Sequence, residues 1–249
     1  MLERETGLEI SRATLDGWVM RVGELLSPIA AAIGRELVSG TYIQADETPV
    51  GVQMHDSRGK NHQAYLWQYG KPGANVVFDF RLGRGRDSPK RFLGQFDGIL
   101  QSDGYAAYEQ VGGPKIVHAC CWAHSRRKFI EALKLHPEDR VAARIVARID
   151  ALFAIDAEAR SANLDHAARH ALRLQRARPL LDLLKPQIEA TRAEALPASA
   201  LGKAAQYTLA LWPKLTRFLD YPELARSIFA RDHGKRAAEI AAAANLHKS

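Results

Sequence analysis

Two aspartates stand where sheet proteins place reactive groups. Asp46 follows the short extended run Tyr42–Ala45 and closes that strand before Glu47-Thr48-Pro49. Asp103 follows Gly98–Ser102 and precedes Gly104-Tyr105. If these two strands are neighbours, the carboxylates face each other across one strand pair. Facing carboxylates repel unless a cation lies between them. Hard oxygen ligands favour Mg²⁺ or Mn²⁺, and carboxylate-held metal pairs ~3.5–4 Å apart recur in phosphodiester cleavage and transfer. The residue types alone leave a plainer account open, because Asp before Gly also marks turns and Asp at a strand end also caps helices.

Basic side chains supply the second element of such chemistry. Lys and Arg number 35 against 28 acidic residues, a formal net charge of +7. A basic excess favours polyanionic partners, of which nucleic acid is the commonest. Arg81, Arg84, Arg86, Lys90 and Arg91 cluster around Gly83 and Gly85. Glycine lets backbone approach a phosphate, and arginine pairs with it bidentately. Arg126, Arg127 and Lys128 form a second cluster. Successive helical residues point about 100° apart, so only one or two of these three can meet one backbone. Neither cluster reads bases, so affinity through them should fall with salt.

His118, Cys120, Cys121 and His124 form His-x-Cys-Cys-x-x-His, which could hold Zn²⁺. The spacing is tight for four converging ligands, and a strand-to-helix junction splays alternate side chains to opposite faces. The metal-free account is favoured. Trp122 could stack on a splayed base, with a core position as the default.

These groups must be positioned by the elements around them. Residues 41–121 read as strand, strand, strand, helix, strand, helix, strand: Tyr42–Asp46, Ala64–Tyr69, Val76–Phe80, a helix from Ser88 to Phe96, Gly98–Ser102, a short helix over Tyr105–Val111, and Lys115–Ala119. An antiparallel meander followed by two crossovers predicts an α/β (mixed α+β) sheet with helices packed on it. Residues 1–40 read helical, with Leu15, Trp18, Val22, Leu25 and Leu26 near one face and Pro28 just past the densest stretch. Gly7 marks a turn and Ser11 caps the following helix, either as a helical hairpin or as the end of a helix-turn-helix. Residues 122–220 read all-helical from the recurrences Val141, Ile145, Ile149, Leu152 and Leu201, Ala205, Thr208, Trp212, Leu215, Leu219. Leu180, Leu181, Leu183, Leu184 and Ile188 mark another helix, and Pro213 a kink. Residues 221–249 form a separate tail.

A chain of 249 residues, 47% apolar and 25% charged, is an ordinary globular composition of one large or two small domains. No apolar run approaches the ~18 residues of a membrane span, and the N-terminus lacks the order of a signal peptide. Two adjacent cysteines provide no disulfide framework and suit a reducing compartment. A cytoplasmic protein with no membrane partner is expected.

Four stretches in order carry a more specific resemblance: Gln-Ala-Asp-Glu-Thr-Pro-Val (44–50), Ala-Tyr-Leu-Trp-Gln-Tyr (64–69), Leu-Gln-Ser-Asp-Gly-Tyr-Ala-Ala-Tyr (100–108) and Cys-Trp-Ala-His-Ser-Arg-Arg-Lys-Phe (121–129). Together, over residues 1 to about 224, they resemble the transposases of the insertion sequence 66 family. The resemblance implies a ribonuclease H-like catalytic core over 41–121, a helical insertion over 122–220, and an N-terminal helical segment over 1–40. It also implies metal-dependent cleavage and strand transfer of DNA, with element ends and target as partners, Mg²⁺ or Mn²⁺ as cofactor, and a nucleoid association when DNA is bound. Asp46 and Asp103 match the first two metal-binding carboxylates, and His124 falls near the rim of the site. Such transposases work as multimers on paired ends, although no interface is legible in the sequence.

The third carboxylate departs from the pattern. The family has a paired-asparagine motif followed by Glu and Arg on a late helix, and here no Asn-Asn occurs after Phe218. Glu223 follows a proline in a loop, and Glu239 has no matching surroundings. An altered or truncated copy is therefore the alternative expectation: an inactive remnant that still binds DNA or full-length transposase.

Overall fold

The computed structural model describes residues 7, 10–53 and 61–224. Five strands form one mixed sheet: β1 (Tyr42–Val52), β2 (His62–Gly70), β3 (Val76–Arg81), β4 (Ile99–Ser102) and β5 (Val117–Cys120). Their spatial order is β3-β2-β1-β4-β5. The first three strands form the antiparallel meander, and β4 and β5 add in parallel to β1. The expected element order holds, and the first and fourth strands are neighbours.

Some boundaries move. β1 does not end at Asp46 but runs on to Val52, because β2 keeps pairing with it as far as Val52↔His62. The helix after β3, α2 (Asp87–Leu93), stops short of Phe96, since Gly94 adopts φ +52° and turns the chain. The helix expected over Tyr105–Val111 shrinks to one 3₁₀ turn, Ala106–Tyr108, and Gln110 enters the left-handed region at φ 57°.

The two faces of the sheet bury different cores. Period-two alternation sends Ile43, Ala45, Trp67, Tyr69 and Leu100 to one face, where they pack with Leu93, Phe96, Tyr108 and Leu37. The other face, carrying Tyr42, Ile99 and Ala119, packs on the helices of residues 122–224. Those helices are α3 (Trp122–Leu135), α4 (Arg140–Ser161), α5 (His166–Leu172), α6 (Arg178–Glu194), α7 (Ala200–Ala210) and α8 (Trp212–Leu215). Ile145, Ile149 and Leu152, and likewise Leu181, Leu184 and Ile188, are buried as their spacing predicts. The chain breaks between α7 and α8 beside Pro213, which occupies the first turn of α8. Trp122 is a core residue: it is fully buried and donates from Nε1 to the Leu215 carbonyl at 2.9 Å.

Arg173 ties this helical layer together. It sits in a π-helical turn, Arg173–Ala177, between α5 and α6. Its side chain is 1% exposed and pairs with buried Asp156 at 2.9 Å. It also donates to the carbonyls of Phe218 at 2.9 Å and Leu224 at 2.7 Å. A buried guanidinium needs such partners for all its donors, and here they anchor residues 218–224.

One helix behaves unlike the rest. α1 (Arg12–Ser39) is capped by Ser11, whose side chain accepts from Thr14 N at 3.1 Å, as expected. Pro28 lies inside it. Only its last turns, with Ile33, Leu37 and Val38, reach the sheet. Trp18, Val22, Leu25 and Leu26 are more than half exposed, so their shared face is not core. Gly7 has φ +68°, in keeping with a turn; the remainder of the expected N-terminal hairpin lies outside the described residues.

Candidate functional site

The parallel register of β1 and β4 brings the two aspartates together. Gln44 pairs with Gln101, and Asp46 and Asp103 stand two residues further along each chain. By alternation Asp46 lies on the face of Gln44, and Asp103, one residue past the end of β4, comes within electrostatic reach of it. Beneath them Tyr42, Gln44 and Gln101 form a buried polar cluster: Tyr42 Oη donates to Gln101 Oε1 at 2.5 Å and accepts from Gln44 Nε2 at 2.7 Å. This network locks the two strands together under the carboxylates.

Each aspartate is oriented by a local backbone donor. Glu47 N–H donates to Asp46 Oδ1 at 3.0 Å, and Tyr105 N–H donates to Asp103 Oδ1 at 2.7 Å. Gly104, between Asp103 and Tyr105, has φ +87°, and a Cβ there would stand 2.5 Å from Leu211 Cδ1. The tight turn that aims Asp103 therefore requires glycine. Burial, reinforced by the charges of Glu47 and Asp103, pushes the Asp46 carboxyl up from 3.8 to about 7. Gln68, the cross-strand partner of Asp46, is buried with its Nε2 unbonded.

The helical layer closes the site from above. The Tyr207 hydroxyl on α7 donates to the Asp103 carbonyl, and burial pushes that phenol well above its usual range. Lys128 Nζ lies 4.5 Å from the Tyr207 ring centroid. His124 and Arg127 on α3 come within electrostatic reach of Asp103 and Asp46 respectively. Burial depresses the His124 imidazole, and its Nδ1 is buried with no hydrogen-bond partner.

The basic clusters are split by the fold. Arg126 turns away to Asp150 at 2.5 Å, while Arg127 is exposed. Arg81 pairs with Asp79 at 2.9 Å, and Arg86 donates to Gln110 at 3.0 Å. Lys90 and Arg91 are exposed on α2. Arg84 reaches inward to Glu47. The two cysteines are buried and unbonded to each other, and burial pushes the Cys120 thiol up to about 12. His118 and Cys120 extend from β5, Cys121 caps α3 and His124 lies within it. Among the described residues no group of three or more His, Cys, Asp or Glu side chains is placed to share a metal ion. Among the described residues the acidic site thus has two neighbouring carboxylates, with Glu47 beside Asp46 passing to the opposite face, and no third converging on them. Glu223 sits in the segment anchored by Arg173, and Glu239 lies outside the described residues.

Four participants escaped the sequence. Tyr207 carries no local signal, since its contact spans 104 residues. The structural pairing of Gln44 with Gln101 depends on β1 and β4 being neighbours. The inward role of Glu47 was available in principle, because alternation puts it on the opposite face from Asp46.

Known proteins agree on what this chain resembles. The family model described as "Transposase IS66 family" matches residues 1–227. Among curated relatives, the uncharacterized protein y4qI of Sinorhizobium fredii is 31% identical over 229 residues, covering 86% of this chain and 42% of that protein. The uncharacterized protein y4jD of the same organism is 30% identical over 231 residues, covering 86% and 44%. The chain therefore spans under half the length of these relatives. No solved structure matches. With the family model covering nearly the whole described chain, this protein belongs to the IS66 transposase family.

Proposed function

We propose that this chain carries the catalytic core of a DNA transposase, a ribonuclease H-like sheet whose Asp46 and Asp103 hold Mg²⁺ or Mn²⁺ at the phosphodiester to be cut. The observation that carries this reading is the proximity of the two carboxylates, each two residues beyond the paired Gln44 and Gln101, with Asp46 held to about 7 by burial and by its acidic neighbours. The donor set suits a hard divalent cation: both side chains offer oxygen, and a cation between them would relieve the repulsion that raises Asp46. Such an ion, when bound, lowers the pKa of an attacking water or 3′-hydroxyl and stabilises the leaving oxygen.

The chain's own residues orient and bind. Backbone donors fix one oxygen of each aspartate. Arg127, Lys128 and His124 share one face of α3, within reach of the aspartates, and would meet phosphate there. Arg86, Lys90 and Arg91 give α2 and the loop before it an exposed basic surface of their own, suited to the sugar-phosphate backbone.

The test is divalent-cation-dependent cleavage and strand transfer on supercoiled donor DNA carrying element ends. Asp46→Asn should abolish both while DNA affinity is retained or slightly raised. Undiminished cleavage by that variant would overturn the reading. A second reading, a DNA-binding chain without cleavage, is favoured by one observation: no third acidic ligand stands beside the pair among the described residues. Wild-type chain that binds DNA but cuts it with neither Mg²⁺ nor Mn²⁺ would select this alternative.

A further inference from the structure

We infer that Arg84 and Glu47 form a positioning pair, a clamp that sets the separation of Asp46 and Asp103 rather than a grip on DNA. The inference rests on the proposed acidic site and adds residues to it. Glu47 follows Asp46 in β1, so its side chain passes to the opposite face, where it is only 2% exposed. A buried carboxylate is costly unless both oxygens are satisfied. Arg84 donates to Oε1 from Nε at 3.0 Å and from Nη2 at 2.5 Å. Tyr108 Oη donates to Oε2 at 2.8 Å.

Arg84 is itself fixed from the Asp103 side. Its guanidinium lies 3.9 Å from the Tyr105 ring centroid, and Tyr105 Oη donates to its backbone carbonyl at 3.0 Å. Tyr105 N–H holds Asp103, and Glu47 N–H holds Asp46. A continuous series of contacts therefore runs Asp46, Glu47, Arg84, Tyr105, Asp103. It joins the two carboxylates by a route separate from the strand pairing beneath them. An exposed ion pair is usually worth little. This one differs, because removing Arg84 strands a buried charge directly behind Asp46.

Sequence alone would give Arg84 to the phosphate-binding cluster, so the two roles make opposite predictions. Arg84→Ala should weaken Mn²⁺ binding, read by calorimetry at pH 8, by roughly 10–100-fold, as loss of an outer partner of a metal ligand typically does. Its affinity for duplex DNA without divalent cation should stay within about twofold of wild type. The amide protons of Glu47 and Tyr105 should exchange at least about tenfold faster, with those of β2 and β3 unchanged. Arg84→Lys, which keeps the charge but loses the fork, should fall between, and it serves if Arg84→Ala does not fold. Adding Glu47→Gln to Arg84→Ala should recover part of the protection by removing the stranded charge. Unchanged exchange at both amides, or a large loss of DNA affinity with Mn²⁺ binding intact, would overturn the clamp. If wild type binds no Mn²⁺ while the exchange effect appears, the clamp stands and the metal reading of the site fails.

Discussion

Asp46 on β1 and Asp103, one residue past the end of the parallel strand β4, each stand two residues beyond the paired Gln44 and Gln101. The 57-residue offset between those glutamines is also the offset between the aspartates. Their proximity is therefore a property of one strand register. A slip of one residue would send one carboxylate through the sheet to the other face.

The burial of Asp46 has a consequence for stability. In the unfolded chain this carboxyl releases its proton near pH 4, whereas the folded chain keeps it until about 7. Between those values the unfolded state binds fewer protons, so this group's contribution to stability falls as pH rises. Asp46→Asn removes the penalty. Urea denaturation should show the variant about 1–3 kcal/mol more stable at pH 8 and unchanged near pH 4. Equal stability at pH 8 would mean that Asp46 is not buried against its neighbours.

Cation binding should run against protonation at the same group. Millimolar Mn²⁺ is expected to raise the thermal midpoint of the wild-type chain at pH 8 and to do so much less at pH 5, where Asp46 holds its proton. Neither Asp46→Asn nor Asp103→Asn should respond. A shift retained in both variants would place the ion elsewhere.

Arg173 should be among the costliest single residues to remove. Arg173→Met leaves Asp156 buried without its main partner and frees the carbonyls of residues 218–224. A loss of about 3–5 kcal/mol is expected on breaking such a pair. Replacing both, as Arg173→Met with Asp156→Leu, should cost distinctly less. Chemical denaturation of the three variants measures this, and additive losses would show that the two charges do not act as a pair.

DNA affinity should be dominated by phosphate contacts. The logarithm of the binding constant is expected to fall linearly with the logarithm of salt concentration. Ala at Lys90, Arg91 and Arg127 should each shallow that slope by about one and weaken binding similarly across sequences. Fluorescence anisotropy over a salt series tests this; slopes unaltered by all three would move the contact surface elsewhere on the molecule.

Much of this molecule was legible without coordinates. Alternation of apolar and β-branched residues marked all five strands, and the 3.6-residue recurrence of Ile145, Ile149 and Leu152 marked a buried helical face. The wording around Asp46 and Asp103 indicated the family. These are local properties: side-chain period and turn chemistry are written in adjacent residues. Tertiary structure decided the rest. It placed β4 beside β1, so that two carboxylates 57 residues apart come within electrostatic reach of each other. It carried β1 past Asp46 because β2 kept pairing with it, and it brought Tyr207 to Asp103 from a helix 104 residues away. It left the apolar stripe of α1 exposed, since periodicity states which residues share a face and not what covers that face. It also committed the partly exposed Arg84 to Glu47, because a buried carboxylate draws the nearest donor that can satisfy it, and which donor is nearest depends on the packing of distant segments.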